Sequence, residues 1–248
     1  MVNVEQISEW IKNYSDSNNI SSLVVGVSGG IDSAVVSTLC AMTGIPTHCV
    51  LMPIHQNPEH TKRGLNHIKW LQSKYPFVEL HEFNLTEVYD KFVDTMKYAK
   101  SDLGFANSRS RLRMITLYQL ASSSNGIVVG TGNKVEDFGV GFFTKYGDGG
   151  VDISPIADFT KTEVYEIASQ LGINQEIIDA VPTDGLWGDD RNDETQIGAT
   201  YPELEWAMTY YGNTSELNER QIEVLKIYYN FNKKNKHKML PIPIYKKL

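Results

Sequence analysis

The chain has 248 residues, 41% of them apolar, and a formal net charge of −7. That length supports one large α/β domain or a domain with an added lobe, and the acidic balance argues against a non-specific nucleic-acid binder, which needs a basic footprint. Cys40 and Cys49 are its only cysteines and form no C-x-x-C, so a reducing setting is expected, without disulfide framework or zinc knuckle.

Val4, Ile7, Ile11 and Tyr14 recur at helical spacing and predict an amphipathic opening helix. "SSLVVGV" (21–27) is almost continuously apolar, as a strand buried on both faces should be. A helix, "DSAVVSTLCAM", follows a glycine turn; "THCVLMP" (47–53) reads as the second strand, "PEHTKRGLNHIKWLQSKY" as a helix and "FVELHEFN" (77–84) as the third strand. Leu85, Val88, Tyr89, Phe92, Met96 and Ala99 trace one helical face; another helix covers about 107–124. "GIVVGT" (126–131) reads as a fourth strand and "VDISPIAD" as a fifth. Val164, Ile167, Ala168 and Leu171 mark a further helix, stopped by Gly172. After Pro182 the chain turns polar and acidic, and 183–200 reads as a mobile loop. Two helices, near 201–211 and 215–232, and a basic tail complete the chain.

Alternating strands and helices predict an α/β fold: a doubly wound, mostly parallel five-stranded sheet with helices on both faces, plus C-terminal helices. Residues 1–248 are expected to form a single domain, with ligands outside the C-terminal edge of the sheet. The N-terminus shows no signal-peptide pattern and no apolar run reaches membrane-spanning length, so a cytoplasmic protein with no membrane contact is expected.

The first strand runs into Ser28-Gly29-Gly30-Ile31-Asp32-Ser33. Glycines before a helix N-terminus expose backbone N–H groups that cradle an anion. The loop is neither a P-loop, for no lysine follows, nor a G-x-G-x-x-G fingerprint. Asp32 would repel a bare phosphate, but magnesium accepts a carboxylate and phosphate oxygens together, so the acid points to a metal-bound polyphosphate. A turn carrying an acid favoured by the helix dipole is the plainer alternative.

The string S-G-G-x-D-S resembles the pyrophosphate loop of N-type ATP pyrophosphatases, which cleave ATP between the α- and β-phosphates and adenylate their substrate. "GTGNKVED" (130–137) and "GFFTKYGDGGVDISPIADFTKTEV" (141–164) narrow the resemblance to ammonia-dependent NAD synthetases. It extends from the opening helix to "HKMLPIP". The implied reaction is deamido-NAD + ATP + ammonia → NAD + AMP + pyrophosphate, through an adenylated nicotinate carboxylate.

The resemblance implies ATP contacts by Ser28, Gly29, Gly30, Ile31, Asp32, Ser33, Met52, Thr131, Lys161 and Thr183, with Met52 facing adenine. It gives Mg2+ to Asp32 and Glu136. "GTGNKVEDFGVGFFT" is one residue longer than the common pattern, which makes Asp137 the nearest rival of Glu136. Asp148 and Lys161 are the catalytic candidates: Asp148 would hold ammonium, as a base or only as a binding anion, and Lys161 would offset phosphate charge. Arg111, Lys145, Asp152, His237 and Lys238 match deamido-NAD positions. Arg109 and Arg113 share a helical face that reads as solvated basic surface.

His55, His60 and His67 lack metal-site spacing and read as solvated or packed. The C-terminal aromatic cluster reads as helix packing. The competing functions are another N-type pyrophosphatase, such as a GMP synthetase-like amidating enzyme or a tRNA thiolase, and a nucleotide sensor without chemistry. No amidase-like segment is present, so direct use of ammonia is expected; a separate glutaminase partner is left open. The family also implies a symmetric homodimer.

Overall fold

The computed structural model describes residues 2–183, 185–187 and 192–247. Within these, strands β1 (Ser22–Gly26), β2 (Thr47–Leu51), β3 (Val78–Glu82) and β4 (Gly126–Val128) form one parallel sheet in the order β3-β2-β1-β4. Helices α1 (Val4–Ser17), α2 (Ile31–Met42), α3 (Pro58–Lys74), α4 (Thr86–Thr95), α5 (Asp102–Ser123) and α6 (Lys161–Leu171) flank it. The fold is the expected α/β class with one difference in strand number. The expected fifth strand contributes only an isolated parallel bridge, Val129 to Ile153. The Asp152 carboxylate accepts from the Val128 N–H at 2.8 Å, and Pro155 has no N–H with which to continue a ladder.

β1 shows why such strands read as nearly unbroken apolar runs. Leu23 and Val25 face a core shared with α1, α2 and α6, whereas Val24 faces α5 through Met114 and Leu117. All three are fully buried. Cys40 and Cys49 are free and buried, and burial pushes the Cys49 thiol up to about 12.

The glycine loop joins β1 to α2. Gly29 has φ +86°, and a Cβ there would collide with the His60 carbonyl on α3, so only glycine lets this turn pass under α3. α6 begins in a capping box made by Thr160 and Glu163, which fixes Lys161 as its first residue.

Between β4 and α6 the chain makes a π-helix, Val135–Val140, closed by Gly141 at φ 64°. A π-turn absorbs one extra residue, and such turns concentrate at functional sites.

Four-residue α7 (Gln175–Ile178) follows α6. The segment expected to be a mobile loop contains helix α8, Asp193–Ile197; residues 184 and 188–191, which that expectation also covers, lie outside the described residues. α9 (Tyr201–Thr209) and α10 (Glu219–Met239) pack on the π-helix through Val135, Val140, Leu204 and Val224. α10 extends past the expected end near 232, so His237 and Lys238 are helical. No helix among the described residues is long and apolar enough to cross a membrane.

Truncating Ile167, fully buried beneath the sheet, should cost about 2–5 kcal/mol. Ile244→Ala, on an exposed side chain, should stay within about 0.5 kcal/mol. Urea unfolding of the two variants measures the difference.

Candidate active site

A cleft opens at the C-terminal ends of the strands, where β1 has neighbours leading to opposite sides of the sheet. In open α/β sheets this switch point is the ligand position. Ser28, Gly30, Ile31, Asp32, Ser33, Met52, Thr131, Glu136, Asp148, Lys161 and Thr183 line it, as the resemblance anticipates. Gly29 lies just behind the lining, against α3.

The loop is held by its own hydroxyls. Ser28 N–H donates to Ser33 Oγ at 3.1 Å, Ser33 Oγ donates to Gly30 O at 3.0 Å, and Gly30 N–H donates to Ser28 Oγ at 3.2 Å. No side chain caps α2 at Gly30, so the first-turn amides face the cleft as an anion cradle.

Beneath the cradle, Lys161 Nζ donates to Asp32 Oδ2 at 2.6 Å and to Glu136 Oε1 at 3.0 Å. The lysine is only 2% exposed. Asn133 Nδ2 donates to Asp32 Oδ1 at 3.1 Å, and Tyr201 Oη donates to Glu136 Oε1 at 2.6 Å. The two acids hold Lys161 cationic, raising its pKa against burial. Glu136 is held below the ordinary carboxylate value because attraction to Lys161 and the Tyr201 hydrogen bond outweigh burial. Asp32 is raised, because burial outweighs Lys161's attraction and Glu136 adds repulsion.

Across the cleft, Asp148 Oδ1 accepts from Ser110 Oγ at 2.5 Å and from Thr144 N–H at 3.0 Å. Enclosure by the surrounding protein still pushes its pKa upward. Asp137, carried inward by the π-helix, also lines the cleft. Burial, with the charges of Asp148, Glu136 and Asp32, raises its carboxyl well above the ordinary value. A Cβ at position 132 would collide with its carboxylate, so Gly132 makes room for it.

The remaining candidates form an outer group. Arg111 Nε donates to Lys145 O at 3.2 Å, and Lys145 Nζ donates to His237 O at 3.3 Å. Lys238 Nζ donates to Gly141 O and Phe143 O. Asp152 stands apart from them, holding Val128 N–H and accepting from Tyr118 Oη at 3.0 Å. None of these five lines the cleft itself.

Two arginines depart from the solvated-face expectation. Arg109 stacks over the Tyr89 ring, 4.7 Å from its centroid, and donates to Leu186 O. Arg113 lines the cleft, and its Nε donates to Met52 O at 3.1 Å. Their i,i+4 spacing was the available signal, but it does not say which way the shared face points. His67, by contrast, packs inside: its Nε2 lies 3.0 Å from Ser37 Oγ, and burial lowers its pKa to about 4. Asn133 and Tyr201, both contacts of the central acids, carried no sequence signal.

A parallel α/β sheet with a cradle, buried acids and a lysine at its switch point defines a nucleotide-using α/β protein. A family model described as NAD synthase matches residues 3–241, and the chain belongs to that family. It is 38% identical over 240 residues to the NH(3)-dependent NAD(+) synthetase of Carboxydothermus hydrogenoformans, covering 94% of this chain and 93% of that one. It is 35% identical to that of Finegoldia magna, covering 94% and 91%. Among solved structures, NMN synthetase from Francisella tularensis superposes with TM-score 0.86 at 28% identity, covering 99% of each chain. The NH3-dependent NAD synthetase of Campylobacter jejuni superposes with TM-score 0.78 at 25% identity, covering 98% and 97%.

Removing the ammonium leaves two acids enclosed without their cation. Lys161→Met should therefore cost about 3–5 kcal/mol. In the wild type, Glu136's depressed pKa contributes stability above the unfolded carboxylate range, lost as pH falls through its folded value. In the variant burial dominates and both acids rise, so stability falls as pH rises. Urea unfolding at about pH 5 and about pH 8 should show the larger deficit at the higher pH.

Proposed function

We propose that the protein makes NAD from deamido-NAD, ammonia and ATP, releasing AMP and pyrophosphate. The observation that carries this reading is the convergence of Asp32, Glu136 and Lys161 beneath the glycine loop, with Asp148 lining the same cleft.

A carboxylate is a poor acyl donor because oxide is a poor leaving group. The nicotinate carboxylate oxygen attacks the α-phosphorus, the bond to the bridging oxygen breaks, and pyrophosphate leaves. The α2 amides and Ser28 and Ser33 receive its charge. Lys161, fixed between its acids, adds a positive charge there without reorganising. Met52, with Val50, Met114 and Leu117, supplies an apolar wall for the adenine. Thr131 and Thr183 contact the nucleotide from the cleft rim.

Asp32 and Glu136 suit a hard cation: both offer only oxygen, and both line the cleft beside the glycine loop. We assign Mg2+ to them; when bound it neutralises charge on the phosphates. Asp148 binds ammonium and takes its proton, freeing the lone pair that attacks the acyl carbon; AMP then departs from the tetrahedral intermediate. Asp137 is the second acid of this pocket. Arg111, Lys145, His237 and Lys238 receive the outer phosphates and ribose of deamido-NAD, and Asp152 supports that wall by fixing Tyr118 and β4.

We assign a covering role to Thr183 and Leu186 at the cleft, Leu186 being held by Arg109, and to the chain a single working unit and a cytoplasmic setting with free or glutaminase-supplied ammonia. The homodimer is assigned to α4 and α5, which leave Val88, Phe92, Leu103 and Ile115 exposed.

A second reading, amidation of nicotinate mononucleotide, is favoured by the closer superposition on the Francisella tularensis NMN synthetase, TM-score 0.86 against 0.78. Both reduce to one assay. Purified protein with ATP, Mg2+ and ammonium is given each substrate, and NAD, NMN, AMP and ADP are followed. A higher kcat/KM on deamido-NAD, with AMP formed in equal amount, supports the first reading; preference for the mononucleotide supports the second. ADP as product rejects both.

Asp148→Asn should lower kcat about 100-fold or more and raise the KM for ammonium, with the KM for ATP little changed. Steady-state kinetics with each substrate varied resolves the split. Ile115→Asp should shift the protein toward monomer in sedimentation velocity, and an unchanged sedimentation coefficient would remove α5 from the interface.

A further inference from the structure

A second constellation lies outside the cleft, on strands β2 and β3. His48 is on β2, and Glu79 and His81 are on the edge strand β3. In the register of the sheet His48 pairs with Glu79, and Val50 with His81. Paired residues of parallel strands point to the same face, and residues two apart share it, so all three side chains stand on one face. None of them lines the cleft.

Their donor atoms converge. His48 Nδ1 lies 2.9 Å from His81 Nε2 and 3.3 Å from Glu79 Oε2, and His81 Nε2 lies 3.6 Å from the same oxygen. Ligand atoms bound tetrahedrally at about 2.0–2.2 Å stand about 3.3–3.6 Å apart. The observed triangle brackets that separation. Three lone-pair-bearing atoms pointed at one place repel each other unless a cation or a proton sits among them. Only one N–H can lie between the two nitrogens, and the carboxylate has no proton of its own to offer. The rings are also held in place: His48 is mostly buried, its side chain 11% exposed, and His81 stacks on Phe83 with an interplanar angle of 14°. Glu79, 60% exposed, leaves the solvent side open for entry and for a water as fourth ligand.

We propose that His48, Glu79 and His81 bind one divalent transition-metal ion, of which Zn2+ fits best. Two imidazoles and one carboxylate select zinc over magnesium or calcium, which prefer all-oxygen sets. The ion clasps edge strand β3 to β2. It has no part in the proposed amidation, and its binding is measured without ATP or a nicotinate substrate, so failure of either reading leaves the other intact.

The test uses the full chain stripped with chelator, then titrated with Zn2+ alone by equilibrium dialysis with elemental analysis. Wild type should bind one equivalent that His81→Asn and Glu79→Gln bind about ten-fold or more weakly. Both substitutions sit on partly or well exposed side chains, and circular dichroism establishes that the variants are folded. Co2+ in place of Zn2+ should give intense visible bands of tetrahedral coordination in wild type and not in His81→Asn. Zn2+ should raise the Tm of wild type more than that of either variant. Equal Zn2+ stoichiometry and affinity in wild type and folded His81→Asn, or no tetrahedral Co2+ spectrum in wild type, would overturn the site.

Discussion

The ammonium of Lys161, bound to Asp32 at 2.6 Å and Glu136 at 3.0 Å, is the contact on which the site depends. It joins three separate pieces of chain: the first turn of α2, the π-helix and the first turn of α6. Each piece brings a group that is costly to enclose alone, and the ammonium offsets one of the two carboxylate charges while hydrogen-bonding to both acids. The capping box at Thr160 sets where α6 starts, and hence where the ammonium sits. Tyr201, at the start of α9, reaches the same Glu136 oxygen. The C-terminal helices are thereby tied to the chemistry as well as to the core formed with the π-helix.

The loop above this ion cluster is shaped by a backbone constraint. Gly29 takes a left-handed conformation beside the His60 carbonyl, and Arg63 Nε donates to the Gly29 carbonyl at 3.4 Å. α3 therefore presses the turn into place from one side while α2 supplies the amides from the other. The π-helix performs a comparable service on the opposite wall. It carries Asp137 into the lining of the cleft, and the absence of a side chain at Gly132 admits it. The two walls thus differ in character: a cradle for anions beneath β1, and a pair of acids, Asp137 and Asp148, suited to a small cation.

Much of this was legible in the residues. Unbroken apolar strands, a Gly-Gly turn with its acid, and a dense glycine-bearing segment before α6 located the cleft and most of its lining. What was not legible was long-range. Lys161 and Asp32 lie 129 residues apart, and no local pattern says that an ammonium meets an acid at that separation. Arg109 and Arg113 could be read only as a shared helical face; packing against Tyr89 and Met52 turned that face inward. The fifth strand stops short partly at Pro155, which the sequence shows, and partly because the Asp152 side chain takes the Val128 amide that a neighbouring backbone carbonyl would have used, which only the fold shows. The convergence of His48, Glu79 and His81 has no local sequence pattern, because it arises from pairing between strands.

In the proposed reaction the nicotinate carboxylate, and not ammonia or water, attacks the α-phosphorus. Deamido-NAD labelled with 18O in both carboxylate oxygens, turned over with ATP and ammonium, reports this directly by mass spectrometry. One labelled oxygen should appear in AMP and one should stay in the amide of NAD, with none in pyrophosphate. Label in pyrophosphate, or AMP free of label, would contradict the account.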